Sequence, residues 1–233
     1  MCADADHLAL AAASLFVKLA REAIAQRQRF TVGLAGGSTP RPAYSLLAEE
    51  PLIGQVDWSQ VEVFWGDERC VPPSHPDSNY RMARQSLLDR VPIPPENVHR
   101  VRGELPPEDA AAHYRLELQT VLGAGGRFDL ILLGMGTDGH TASLFPETEV
   151  LDEKDRSFAA VYVEQLDSWR LTLTLPTVNA ARHVVFVVSG VRKAETLARV
   201  RSGEGLPAAR VQPAEGELIW LVDRDAGVGL TRG

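Results

Sequence analysis

Residues 130–140 read LILLGMGTDGH. The apolar run, entered at Phe128, has the form of a strand buried on both faces, and such strands belong to parallel sheets covered by helices. Gly134, Gly136 and Gly139 then give the spacing G-x-G-x-x-G, the outline of a dinucleotide-binding turn. Three features oppose that reading. Asp138 would bring a carboxylate up to a pyrophosphate, where like charges repel. Pro146 closely follows Gly139, so a helix opening there is short or broken. No strand-ending acid follows about 20 residues on in a βαβ unit, since Asp152, Glu153 and Asp155 fall in a polar, looped segment. The alternative is a tight glycine turn that presents Asp138 and His140. Histidine, with an unperturbed pKa of about 6.5, is the most frequent general base, and a nearby acid can hold its ring and stabilise the imidazolium.

The pattern of apolar strand and polar turn recurs on both sides. Residues 8–29 are Ala-rich and amphipathic and predict a helix. Residues 30–35 predict a buried strand that breaks at Gly36 and Gly37. Pro40 suits the first turn of a helix through Tyr44, Leu46 and Leu47. Residues 61–65 predict the next strand, ending at GDER (66–69). A Pro-rich loop at 71–76, a helix over 78–90, a rigid connector at 91–95 and a helix over 107–121 follow. Beyond the opening stretch, LTLTL (171–175) alternates as a strand with one wetter face. Residues 184–188 form an apolar strand ending at Ser189 and Gly190, with a helix over 191–201, and residues 218–222 close the set. The alternation predicts an α/β fold with a mostly parallel sheet flanked by helices, in a single domain over residues 1–233.

In open α/β sheets, ligands bind at the carboxyl ends of the strands. Here those ends carry GGST, GDER, GTDGH and SGVRK, which gathers Ser38, Thr39, Asp67, Arg69, Asp138, His140 and Lys193 on one face of the sheet. Gly36, Gly37, Ser38 and Thr39 can bring backbone N–H groups to an anion, or cap the helix after them. No Gly-Lys-Ser/Thr follows, so this is not a Walker loop. GDER reads as a solvated turn with an ion pair, or as a guanidinium ready to fork onto phosphate with an acid that orients it. Lys193 is one of three lysines in the chain and opens a helix at the same sheet edge. His7, His99, His113 and His183 lack partners at metal-ligand spacing. His75 lies in the Pro-rich loop, a candidate lid.

Composition narrows the classes. The 233 residues are 45% hydrophobic, and the formal charge is −7. A net acidic chain without a basic run is a poor partner for nucleic acid, but a pocket can still be locally positive for a small anion. Cys2 and Cys70 give neither a disulfide framework nor a metal pattern, which points to a reducing compartment. The acidic N-terminus is no signal peptide, and no apolar run is long enough for a membrane helix. The cytosol is the expected location. No Gly-x-Ser-x-Gly elbow is present, which disfavours a serine hydrolase.

Taken together and in order, LAGGSTP (34–40), FWGDER (64–69), DSNYR (77–81), LLGMGTDGHTASLFP (132–146), RLTLTLP (170–176) and VSGVRKAETL (188–197) resemble the 6-phosphogluconolactonase family. The family belongs with the glucosamine-6-phosphate isomerases and deaminases. The resemblance implies a Rossmann-like α/β sheet, similar to that of glucosamine-6-phosphate deaminase. It also implies hydrolysis of 6-phospho-D-glucono-1,5-lactone to 6-phospho-D-gluconate, the second step of the oxidative pentose phosphate pathway, with no cofactor and no metal. By the same resemblance His140 is the general base, Asp138 its neighbour and Asp67 a site acid. Gly36, Gly37, Ser38, Thr39, Arg69, Asn79, Arg170 and Lys193 contact the substrate and its phosphate. The deaminase branch is the nearest alternative. Its members carry a catalytic glutamate five residues after the histidine, where this chain has Phe145. A sugar-phosphate sensor without turnover is the other class, and it has no need of the base.

Overall fold

A computed structural model describes residues 1–123 and 125–230. The chain order is α1 (Ala5–Arg27), β1 (Phe30–Leu34), α2 (Arg41–Leu47), β2 (Val61–Trp65), β3 (Asp67–Arg69), α3 (Asn79–Ser86), α4 (Pro107–Leu122) and β4 (Leu130–Leu133). It continues with β5 (Phe158–Val163), β6 (Ser168–Leu173), α5 (Leu175–Ala180), β7 (His183–Val188), α6 (Ala194–Arg201) and β8 (Glu217–Val222). Five strands form a parallel sheet in the order β2-β1-β4-β7-β8. The chain winds to one side from β1 to β2 and to the other from β4 onward. The switch point therefore lies between β1 and β4, where a crevice opens beyond the strand ends.

The predicted central strands occupy the core because helices cover both their faces. Val32, Leu34, Leu130, Ile131 and Val184 are fully buried. At the other end of the sheet Asp129 is buried against Thr31 and forms an ion pair with Arg27 at 2.9 Å. Helix α1 starts where the Asp4 side chain accepts the His7 N–H at 2.9 Å. Its alanines let the helix approach closely, and Phe16 meets Phe30 edge-on at 5.2 Å. Burial of one such phenyl ring contributes about 1.5–3 kcal/mol.

A second sheet, of order β3-β6-β5 and antiparallel, is the main departure from the sequence reading. Asp67–Arg69, expected as a turn, pairs in register with Thr172, Leu171 and Arg170. Residues 158–163, where the sequence pattern predicts no strand, form the outer one. The LTLTL run has no wet face and leaves the strand after Leu173: Thr172 and Thr174 are fully buried. Their hydroxyls are satisfied inside, Thr172 by the Ser143 N–H and the Leu173 carbonyl, Thr174 by the Arg156 carbonyl. A threonine with local partners loses its preference for water. Two helices are shorter than expected. Residues 78–90 give α3 and a separate 3-10 turn, and residues 191–193 form a 3-10 turn before α6. Among the described residues no helix is long and apolar enough to cross a membrane.

Candidate active site

A cavity of about 370 Å³ opens at the switch point. It is walled by the Gly36–Thr39 turn after β1, by Asp67, Arg69 and Asn79, by the glycine turn after β4 with His140, and by Ser189, Arg192 and Lys193.

The glycine turn holds Asp138 and His140 against each other. His140 Nδ1 lies 2.6 Å from Asp138 Oδ1, and the same oxygen accepts the His140 backbone N–H at 3.1 Å. With Nδ1 held, Nε2 is the ring nitrogen left to the cavity. A Cβ on Gly136 would fall 2.1 Å from His140 Nδ1 and 2.3 Å from Asp138 Oδ1, so any larger residue displaces the pair. Gly139 adopts φ +82°, a conformation that side chains strain to reach. Its carbonyl accepts the Ala208 N–H at 2.9 Å, which pins the turn from behind. Burial alone would raise the Asp138 carboxyl, but the charge and hydrogen bonds of His140 more than offset it and hold it below the usual carboxylate range. The imidazole lies over Phe145, ring centres 4.1 Å apart and planes 25° apart. No α-helix opens at the turn, in keeping with Pro146: residues 141–144 close with a single bridge, and only a short 3-10 turn, Glu149–Asp152, comes after them.

Asp67 is buried and accepts from Ser143 Oγ at 2.7 Å and from Asn79 Nδ2 at 3.1 Å. Asn79 Nδ2 also donates to the Asp67 carbonyl at 2.9 Å. A Cβ on Gly36 would lie 1.9 Å from Asn79 Oδ1, so Gly36 has to be glycine for Asn79 to sit there. Glu68 does not orient the Arg69 guanidinium. Its carboxylate instead accepts the N–H groups of Asn79 at 2.7 Å, Tyr80 at 2.8 Å and Arg69 at 2.9 Å, and the Ser78 hydroxyl at 3.1 Å. A carboxylate at the start of α3 is where the exposed N–H groups of a helix want one. Burial still raises the Glu68 carboxyl above its ordinary range, against the lowering by those N–H groups.

The cations divide. Arg69 donates to the Asp77 carbonyl, while its buried Nε has no partner among the described residues. Lys193 sits below its ordinary pKa, first through burial and then through Arg192, while Asp138 acts in the opposite sense. Arg192, which the sequence reading passes over for its neighbour, lines the same wall. Arg170 stands opposite Arg69 in the antiparallel register, donates to Ser168 Oγ at 2.6 Å, and is not among the residues that wall the cavity. None of residues 71–76 walls it either, and His75 Nδ1 is taken by the Asp77 N–H at 3.2 Å. Ser143 also escapes the sequence reading; its signal is a hydroxyl just beyond the histidine. The N–H groups of Gly36, Gly37, Ser38 and Thr39 make no hydrogen bond among the described residues. Cys2 and Cys70 are unpaired, and burial pushes the Cys70 thiol up to about 11. Among the described residues no group of three His, Cys, Asp or Glu side chains is placed to hold a metal ion.

This geometry can be set beside known proteins. The family described as glucosamine-6-phosphate isomerases/6-phosphogluconolactonase matches residues 3–220. The chain belongs to this family. A 6-phosphogluconolactonase from a Nostoc species is 47% identical over 97% of the chain and 96% of its own length. The solved 6-phosphogluconolactonase from Trypanosoma cruzi is 30% identical and superposes with a TM-score of 0.89, covering 99% of this chain and 96% of that one. A monomeric glucosamine-6-phosphate deaminase superposes at 0.84 over 97% of both chains but is 19% identical, a likeness of fold alone. The Rossmann-like sheet is thus shared with solved proteins of both kinds.

Proposed function

We propose that the enzyme hydrolyses 6-phospho-D-glucono-1,5-lactone to 6-phospho-D-gluconate. The observation that carries this reading is the Asp138–His140 pair at 2.6 Å beside the cavity, with Phe145 stacked beneath the ring, the position at which the resemblance places the glutamate of the deaminases. Ring opening and proton shuttling on an amino sugar need that second acid. Hydrolysis of a lactone needs one base and a water.

In this reading Arg69, Arg192, Lys193 and the free N–H groups of residues 36–39 hold the phosphate, so binding energy is spent away from the reacting carbon. Those N–H groups matter more than a helix dipole, because α2 has only seven residues. His140 Nε2 takes a proton from a water at the lactone carbonyl as the water oxygen bonds to C1. The resulting oxyanion is stabilised by turn N–H groups or a cationic side chain. The C1–O bond to the ring then breaks, and Nε2 returns its proton to the departing ring oxygen. Asp138 keeps the imidazole oriented and stabilises its charged form. Asp67 and Asn79 have their polar groups committed to each other and to Ser143, so they fix the walls and do not transfer protons. Arg170 acts by adding positive charge next to Arg69. A cytosolic setting and a single domain over residues 1–233 accompany this reading.

The test is hydrolysis of freshly generated lactone, corrected for spontaneous hydrolysis. Turnover of the phosphorylated lactone is expected, and Arg69→Ala should raise its KM about tenfold, the weight of one charge-assisted contact, with a smaller change for unphosphorylated glucono-1,5-lactone. Equal changes on both lactones remove the phosphate assignment. Ammonia release from glucosamine 6-phosphate, without lactone turnover, replaces the reading with the deaminase one.

A further inference from the structure

The wall that carries Arg192 and Lys193 is held by a residue from the far edge of the sheet. Asp223 follows the last residue of β8, and its backbone N–H reaches the Val188 carbonyl at the end of β7, 3.3 Å away. Its buried carboxylate then crosses to the turn after β7. It accepts the Ser189 hydroxyl at 2.5 Å and the Gly190 N–H at 3.1 Å to both oxygens, while its own side of the turn supplies the Ala226 N–H at 2.8 Å. Gly190 stands at φ +93°, and a Cβ there would meet no atom within 4 Å, so it is the backbone angle, and not crowding, that asks for glycine. From Gly190 the 3-10 turn Val191–Lys193 closes with the Lys193 N–H on the Gly190 carbonyl at 3.0 Å. Val191 within the turn is 65% exposed, and the packed residues begin only with α6, at Ala194 and Leu197.

We infer that Asp223 is a positioning residue for substrate phosphate: it holds the Ser189–Gly190 turn so that Arg192 and Lys193 face the cavity. This rests on the proposed reading of the cavity as a phosphorylated-lactone site. Asp223 does not itself wall the cavity. Its effect should therefore show in binding of the phosphate and not in the proton transfer at His140. That division is available because α6 is tied separately to the catalytic turn, by Thr196 Oγ1 donating to the Thr137 carbonyl at 2.6 Å.

The experiment measures kcat and KM for the phosphorylated lactone and for glucono-1,5-lactone in wild type, Asp223→Ala, Asp223→Asn and Lys193→Ala. Asp223→Ala should raise KM for the phosphorylated lactone about tenfold, with kcat changed by about twofold or less, and should lower the preference for the phosphorylated substrate. Asp223→Asn keeps the shape but turns a donor toward the turn, and should shift KM in the same direction by less. It also serves if the alanine variant does not fold. An unchanged preference in the Asp223 variants, alongside a collapsed preference in Lys193→Ala, overturns the anchor and leaves the phosphate reading intact. A preference unchanged in Lys193→Ala as well overturns both.

Discussion

Two histidines stacked on phenyl rings are held by carboxylates in different ways, His140 at the cavity and His99 away from it. His140 meets one acid: Asp138 takes Nδ1 and leaves Nε2 to the cavity. His99 meets two: Glu62 on β2 holds Nε2 at 2.8 Å and Glu117 on α4 holds Nδ1 at 2.7 Å. Both rings lie flat on a phenyl group, His140 on Phe145 at 4.1 Å and His99 on Phe64 at 4.4 Å. The difference is the free nitrogen and its exposure. The His140 side chain is 31% exposed and the His99 side chain 7%. A ring with both nitrogens filled is a cross-link between strand and helix, whereas a ring with one filled and the other free beside a cavity can serve as the base of the proposed reaction.

The largest effect that separates the two is on turnover. His140→Ala should lower kcat by about 10²–10⁴-fold while the protein stays folded. A steady-state assay at neutral pH with kcat unchanged would take His140 out of the mechanism. Next comes its partner. Asp138→Asn keeps the shape but loses the charge that stabilises the imidazolium, so kcat should fall by about ten- to a hundredfold. A loss as great as that of His140→Ala would mean that Asp138 does more than orient the ring.

How much of this is legible in the sequence depends on range along the chain. The partners of the Asp138–His140 contact lie two positions apart in a turn whose glycines announce it, so the contact is local. The parallel strands are legible because helices on both sides make them uniformly apolar. The antiparallel layer is not, because its signals are not local. Asp67–Arg69 is a strand only by virtue of pairing with residues about a hundred positions later, and Thr172 is buried only because Ser143 and Leu173 serve its hydroxyl. The same holds at the site. Asn79 stands out in the sequence and does line the cavity, yet its commitment to Asp67, and that of Glu68 to the start of α3, depend on how β3 and α3 meet. Arg192 is hidden for a different reason: only the placement of the Val191–Lys193 turn beside the cavity shows that it lines the same wall as Lys193.

The smallest effect in activity is the largest in pH-dependent stability, and it belongs to His99. His99→Leu should leave kcat close to wild type. Removing the cation from between two carboxylates should cost about 2 kcal/mol, less than the roughly 3–5 kcal/mol of a fully buried pair because the Glu117 side chain is 37% exposed. Burial by itself pushes the His99 imidazolium down, and Glu62 and Glu117 together push it further up, so its folded pKa lies above the ordinary value. A raised folded pKa fixes the sign. The contribution of the cross-link is fully present below the unfolded pKa of about 6.5 and is lost as pH rises through the higher folded value. The Tm gap between wild type and His99→Leu should therefore be widest in mildly acid buffer and narrow toward alkaline pH. A gap that widens with pH would show that His99 is held neutral. The contrast with His140 would then rest on geometry alone: two nitrogens held in one ring, one in the other.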